Sequence, residues 1–140
     1  MAATLKEEFD GHYPEGDLRE FAENFAATGP KLVSLGHLGN AEDLPAFGTL
    51  AYDIGRAVTV SRVATSAGIL NAEEAEAYCW RALEIAESTF PTWASFGTSY
   101  LAGRALWGGV DDPSFQWMHE MVEMLKTEEQ SPWIELPLRT

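Results

Sequence analysis

Two segments of this sequence place charged residues where a helix would bury them, and these are its first candidates for chemistry. Between Asp53 and Ala67, a projection at roughly 100° per residue sweeps Ile54, Ala57, Val58, Val60, Val63, Ala64 and Ala67 into one wide apolar arc. Gly55, Thr59, Arg62 and Ser66 mark the polar side, while Asp53 falls near the middle of the apolar arc and Arg56 toward its edge. A later segment repeats the pattern. Trp93, Phe96, Tyr100 and Trp107 form an aromatic stripe, Gly97 leaves room for a neighbouring backbone, and Arg104 projects into the stripe. An inward guanidinium has to be paired or solvated through a cleft, because a lone buried charge is very costly. Asp53 is the expected partner of Arg104, with Tyr52 and Tyr100 placed to add hydrogen bonds and their rings to stack on the cation. The cluster Asp53, Arg56, Tyr100 and Arg104 therefore has two readings. One is a buried network that sets the register of two helices; the other is the floor of a pocket that binds an anionic ligand through Arg56 and Arg104. The structural reading comes first, since buried ion pairs more often serve packing than catalysis.

Other catalytic patterns are sparse. Of the histidines His12, His37 and His119, none stands at metal-ligand spacing from a second histidine or a cysteine. His119 and Glu123 share one helical face and could hold a metal, but the second histidine of a zinc-protease motif is missing. An exposed i,i+4 pair is the expected account, so no metal and no cofactor are assigned. Gly97-Thr98-Ser99-Tyr100-Leu101 lacks the closing glycine and preceding strand of a nucleophile elbow. Phosphate-loop and dinucleotide fingerprints are absent. Cys79 lies on a face of small residues with Ala75, Ala82 and Ala86, which predicts an inert core thiol. On the same segment Glu73, Glu74, Glu76, Glu84 and Glu87 spread over the other side: a solvated face, or a docking surface for a basic protein.

Turn and cap residues cut the chain into the helices that must position these groups. His12 to Gly16 reads as a turn closing an N-terminal arm, residues 1–16. Asp17 with Glu20 caps a first helix that Gly29-Pro30 ends. Residues 31–48 are expected to be part helix, part loop. A second main helix runs from about Leu50 to Ala67 with Gly68 beyond its end and, from its wide apolar arc, is expected to be central. Asn71 and Glu74 box the start of a third, which runs to about Ser88; Thr92 caps a fourth that ends near Trp107; Asp112 caps a fifth, with Pro113 at its first position, that ends near Lys126. Residues 128–140 are proline-rich and apolar, and are expected to pack across the body as an extended tail. No segment alternates with period two, so the expected fold is all-α, a compact orthogonal bundle of about five or six helices in a single domain, residues 1–140.

Composition narrows the function classes. The 140 residues carry a net charge of −13, which repels phosphate backbones and anionic lipid and attracts basic partners. Nucleic-acid and membrane binding are therefore not expected. One cysteine cannot form an internal disulfide, Met1 to Asp10 turns acidic without an apolar run and is not expected to be a signal peptide, and no apolar run is long enough to span a bilayer. The expected location is the cytoplasm.

Three blocks carry a family resemblance. The first is Leu50-Ala51-Tyr52-Asp53-Ile54-Gly55-Arg56-Ala57 with Arg62, Gly68-Ile69-Leu70 and Glu73-Glu74-Ala75. The second is Trp93-Ala94-Ser95-Phe96-Gly97 with Ser99-Tyr100-Leu101-Ala102-Gly103-Arg104-Ala105-Leu106-Trp107, and the third is Ser131-Pro132-Trp133-Ile134-Glu135-Leu136-Pro137. In order and length they resemble the bacterial domain-of-unknown-function family numbered 1266, over about residues 17–138. The resemblance implies a helical intracellular bacterial domain and assigns no activity, substrate or cofactor. Tyr52 stands where that family is expected to carry tryptophan, and Leu138 ends the tail in place of another.

The expected function is a non-catalytic acidic interaction module, of the immunity-like or antitoxin-like kind that caps a basic protein. The alternative is a small anionic-ligand binder or enzyme around Arg56, Arg104 and Tyr100. A weaker third reading is a homodimer built on an apolar or tryptophan-bearing face, with Trp80, Trp117 or Trp133 as the anchor.

Overall fold

The computed structural model describes residues 15–139, and among them every regular element is helical. Helix α1 spans Glu15–Ser34. After it come a 3₁₀ turn, Ala41–Asp43, and the short helix α2, Leu44–Phe47. The main body follows: α3 Leu50–Ser66, α4 Ala72–Thr89, α5 Trp93–Gly108 and α6 Pro113–Thr127, closed by one short helix, α7 Pro132–Glu135. No helix among the described residues is long and apolar enough to cross a membrane. The expected N-terminal arm lies outside the described residues except for Glu15 and Gly16, which open α1.

Cap chemistry accounts for most boundaries. Asn71 accepts the Glu74 N–H at 2.9 Å while the Glu74 carboxylate accepts the Asn71 N–H at 2.9 Å, the reciprocal box expected at the start of α4. Thr92 and Ser95 make the equivalent box at α5. The Asp112 carboxylate accepts the Ser114 N–H at 2.7 Å with Pro113 in the first turn of α6. Gly68, at φ +76°, closes α3 in a Schellman turn, with Gly68 N–H donating to Thr65 and Ile69 N–H to Ala64.

Three boundaries differ from expectation. Helix α1 begins at Glu15, so Asp17 lies within the helix rather than capping it. Gly29-Pro30 does not stop α1, which continues through Pro30 to Ser34. Gly29 is instead a close-approach residue: a β-carbon there would sit 3.1 Å from that of Ala41. Leu32, wholly buried, anchors the extra turn, so tertiary burial outweighs the local helix-breaking signal. The tail is not extended throughout either. Pro132 occupies the first turn of α7, where a missing N–H costs no bond, and Ser131 accepts the Trp133 N–H at 3.2 Å.

The centre of the molecule is α5 rather than α3. Gly97, Thr98, Ser99, Leu101, Ala102, Gly103 and Ala105 are all buried, and α5 packs on α1, α2, α3 and α6. Leu101, Ala102 and Ala105 join Leu32, Leu38, Leu44, Phe115 and Val122 in one apolar cluster. A second forms around Ala51, Ile54, Ala82, Ala86, Phe90 and Leu138, with Trp93, Phe96 and Tyr100 packed against it. Small residues let α5 be covered on nearly every side. At the crossing with α3, Gly103 faces Tyr52 and Gly55 faces Tyr100, so each helix inserts an aromatic ring opposite the other's glycine. The two rings meet edge-on at 5.4 Å.

Candidate functional site

The residues expected to form a buried charge cluster do not converge. Asp53 and Arg56 are exposed on α3. The Tyr52–Gly103 and Gly55–Tyr100 contacts set which arc of α3 meets α5, and Asp53 is rotated out of it. Arg104 pairs instead with Asp112, Nη2 to Oδ2 at 3.2 Å, and donates to the Ser114 hydroxyl. Its side chain is 18% exposed and runs over Gly108, whose missing β-carbon would lie 2.2 Å from Nη1. Arg104 therefore ties the end of α5 to the cap of α6. The Asp112 carboxyl is held below its ordinary range chiefly by hydrogen bonds from Ser114, with Arg104 adding to the effect. Tyr100 lines an apolar cleft of about 240 Å³ with Phe96, Trp117, Met121 and Trp133. Burial, then Tyr52, pushes its phenol pKa up, and the Arg104 charge opposes them. An anion site using both guanidiniums is thus not assembled, because Arg104 is already engaged and Arg56 faces solvent.

The glutamates of α4 stand as expected: Glu73, Glu74, Glu76, Glu84 and Glu87 are all exposed. Arg81, the one basic residue on that helix, reaches Glu84 at 3.0 Å. Trp80 emerges among them at 59% exposure, its indole N–H donating to Glu76 at 3.2 Å, and Tyr78, 58% exposed, emerges on another flank of the helix. Cys79 is half-buried on the same helix. Of the other tryptophans, Trp117 is exposed, Trp133 stacks on Trp93 at 5.4 Å, and Trp107 is exposed rather than part of a buried stripe.

The group that the fold does assemble is one whose second histidine sequence spacing did not supply. Helix α1 ends in a Schellman turn: Gly36, at φ +81°, donates to the Val33 carbonyl, and His37 donates its backbone N–H to Leu32 at 2.9 Å. The His37 carbonyl accepts from the Thr98 hydroxyl of α5 at 3.1 Å. Both backbone groups of His37 are thereby fixed and its side chain is wholly buried. Close packing at Gly97, where a β-carbon would meet Val122 Cγ1 at 2.9 Å, draws α6 onto α5 beside it. His119 of α6 then meets His37 with Nδ1 2.7 Å from Nε2. Glu123, one turn on, places Oε1 3.6 Å from His37 Nδ1 and 3.0 Å from Lys126 Nζ.

One donor atom from each of His37, His119 and Glu123 lies within 4.8 Å of the others. His119 and Glu123 are consequently more than an exposed pair on one helix. His37 was missed because it lies 82 positions from His119; Gly36, which ends α1, was its only local signal.

The chain matches the family described as a protein of unknown function, DUF1266, over residues 9–138. It belongs to that family. Comparison with curated proteins and with solved structures finds no match.

In this DUF1266 member the histidine pair has defined electrostatics. Burial above all, then the Lys126 charge, lowers the His37 pKa from 6.5 to about 4, against the opposing pull of Glu123, and His119 lowers it further. The Glu123 carboxyl is lowered chiefly by its hydrogen bond from Lys126. Among the described residues, His37 Nδ1 is buried without a hydrogen-bond partner. If His37 Nε2 donated to His119, Nδ1 would set a lone pair against the Glu123 carboxylate. Donation from His119 Nδ1 to His37 Nε2 is therefore the favoured direction, and it leaves the His37 Nδ1 proton facing Oε1 at a distance too long for a hydrogen bond.

Proposed function

We propose that this protein is a non-catalytic interaction module that docks a basic protein on the outer face of α4, in the manner of an immunity protein or antitoxin. The observation that carries the reading is the composition of that face. Glu73, Glu76, Glu84 and Glu87 share the helix face on which Trp80 stands, more than half exposed, with Arg81 at its edge; Tyr78, two residues from Trp80, emerges on another flank of the helix. An aromatic anchor inside a ring of like charge suits a partner of opposite charge: the charges speed encounter, and the buried ring slows dissociation. The net charge of −13 extends the same steering field over the whole molecule. Exposed Val60 and Val63 on the later turns of α3, and Ile69 in the loop to α4, add apolar surface to this hairpin.

The test compares the wild-type chain with Trp80→Ala and with the triple reversal Glu73→Lys, Glu76→Lys, Glu84→Lys. Immobilised wild type at low salt, exposed to extract of its native host, is expected to retain a basic protein whose purified form binds it with steep salt dependence. Trp80→Ala is expected to weaken that binding by roughly tenfold or more, and the reversal to abolish it. Unchanged affinity in both variants, or retention of no basic protein, rejects the docking face. Sedimentation to a dimer through α4 would assign the face to a second copy instead.

A further inference from the structure

We propose that His37, His119 and Glu123 form a binding site for one divalent transition-metal ion of the zinc class. The site is separate from the α4 face and does not depend on the interaction reading. Its donors are one nitrogen from each imidazole and a carboxylate oxygen, brought within 4.8 Å of one another from two segments of the fold. Ligand atoms around a tetrahedral zinc at about 2.0–2.1 Å are separated by roughly 3.3 Å. The His37 Nε2 to His119 Nδ1 distance of 2.7 Å therefore has to open by about 0.6 Å. The longer edges have to close, by movements within reach of side-chain rotation in a half-exposed glutamate.

Three observations favour a ligand over a latch. His37 is held by its backbone at both N–H and C=O and by complete side-chain burial, so its position is set before any ion arrives. Its Nδ1 is, among the described residues, a buried polar atom without a hydrogen-bond partner, 3.6 Å from the Glu123 carboxylate. A network evolved only to pin α6 to the end of α1 would be expected to satisfy that atom, since an orphaned buried group is destabilising. Finally, two ring nitrogens 2.7 Å apart share one proton, so one of them already presents a lone pair to the other. An ion entering there displaces the shared proton to the outer nitrogen of His119, and no net proton has to leave.

The donor set selects the metal. Two imidazoles with one carboxylate suit Zn²⁺, Co²⁺ or Ni²⁺, whereas Ca²⁺ and Mg²⁺ require mostly oxygen. His119 and Glu123 are partly exposed, which gives the ion a route in and water a fourth position. Lys126 opposes binding, because its ammonium holds the same carboxylate oxygen at 3.0 Å. That opposition supplies a variant expected to gain affinity.

The experiment titrates the chelator-stripped full chain with Zn²⁺ alone by calorimetry and with Co²⁺ by visible absorption, alongside His119→Ala, Glu123→Gln and Lys126→Met, each checked for folding by circular dichroism. Expected are one Zn²⁺ per chain and a cobalt spectrum showing nitrogen ligation. His119→Ala is expected to weaken binding by more than the roughly 10–100-fold that follows loss of an outer partner. Glu123→Gln weakens it with the fold intact, and Lys126→Met tightens it. Absence of a Zn²⁺ heat and of a cobalt spectrum in the wild type overturns the site. So does binding that survives His119→Ala unchanged, which would place the ion among the surface carboxylates. A Lys126→Met variant that binds no more tightly removes Glu123 from the ligand set and overturns the three-residue site.

Discussion

Replacing Gly103 with alanine is the sharpest test of how α5 is built into the molecule. In an ordinary helix interior the change would stabilise by about 1 kcal/mol, since glycine is the poorer helix former. Here the new β-carbon would lie 2.3 Å from Tyr52 Cβ and 3.1 Å from the Thr49 carbonyl oxygen. Ordinary carbon contacts lie near 3.5–4.0 Å, so α3 and α5 would have to separate by more than about 1 Å. Neither opposing atom is the far end of a flexible side chain, so rotation alone does not relieve the overlap. Overpacking of this kind costs about 1–3 kcal/mol. The upper part of that range, partly offset by the helix-propensity gain, leaves a net loss of about 2 kcal/mol. For a chain of 140 residues the unfolding entropy is about 0.3 kcal/mol/K, so Tm should fall by roughly 7 °C. Calorimetry or urea denaturation measures the change, with Gly39→Ala as the control. Among the described residues no atom lies within 4 Å of a β-carbon at Gly39, whose φ is not left-handed, and its substitution should be nearly neutral. A Gly103→Ala protein at least as stable as wild type would refute the close crossing and the reciprocal glycine–tyrosine packing at Gly55 and Gly103.

Other outcomes follow from the same geometry. In chelating buffer, stability should fall as pH drops from 6.5 toward 4. The His37 pKa is about 4 in the folded state against 6.5 unfolded, so its neutral form is favoured by folding, and the stabilisation is complete above 6.5 and lost below. The loss is roughly 3 kcal/mol, against the charged and titratable neighbours His119, Glu123 and Lys126; urea midpoints for wild type and His37→Phe that run parallel across that window would contradict it. Asn71→Ala removes one half of the box at α4 and should cost about 1 kcal/mol, read from the same denaturation curves. Arg104→Met should loosen the first turn of α6, seen as faster hydrogen exchange at the Phe115 and Gln116 amides that bond the Asp112 carbonyl; unchanged exchange would mean the Arg104–Asp112 pair holds nothing in place.

Local chemistry made most of the helical framework legible before any coordinates. Asn71 with Glu74, Thr92, Asp112 with Pro113, and Gly68 each satisfy or release backbone groups within a few residues of themselves, so their meaning does not depend on the rest of the fold. The same reasoning exposes the five glutamates of α4, because a charged stripe opposite an alanine face has one way to lie. It failed where a residue answers to a distant partner. Gly29-Pro30 reads locally as a stop, yet the helix continues because Leu32 is buried and Gly29 accommodates Ala41. Helical projection gives the angular positions of Asp53 and Arg104 on their own helices, but it carries no information about which arc meets which neighbour, and the arc holding Asp53 faces solvent. That was decided by the two glycine–aromatic contacts between α3 and α5, which turn Asp53 to solvent and leave Arg104 to Asp112. The histidine pair is the clearest case. Sequence determined that His119 and Glu123 share a face, and left residues 31–48, His37 among them, as part helix and part loop. Only tertiary packing, through Thr98 holding His37 and Gly97 admitting Val122, set their ring nitrogens 2.7 Å apart. Caps and periodicity are short-range and so are written in neighbouring residues, whereas a site drawn from two remote segments exists only once the core between them has closed.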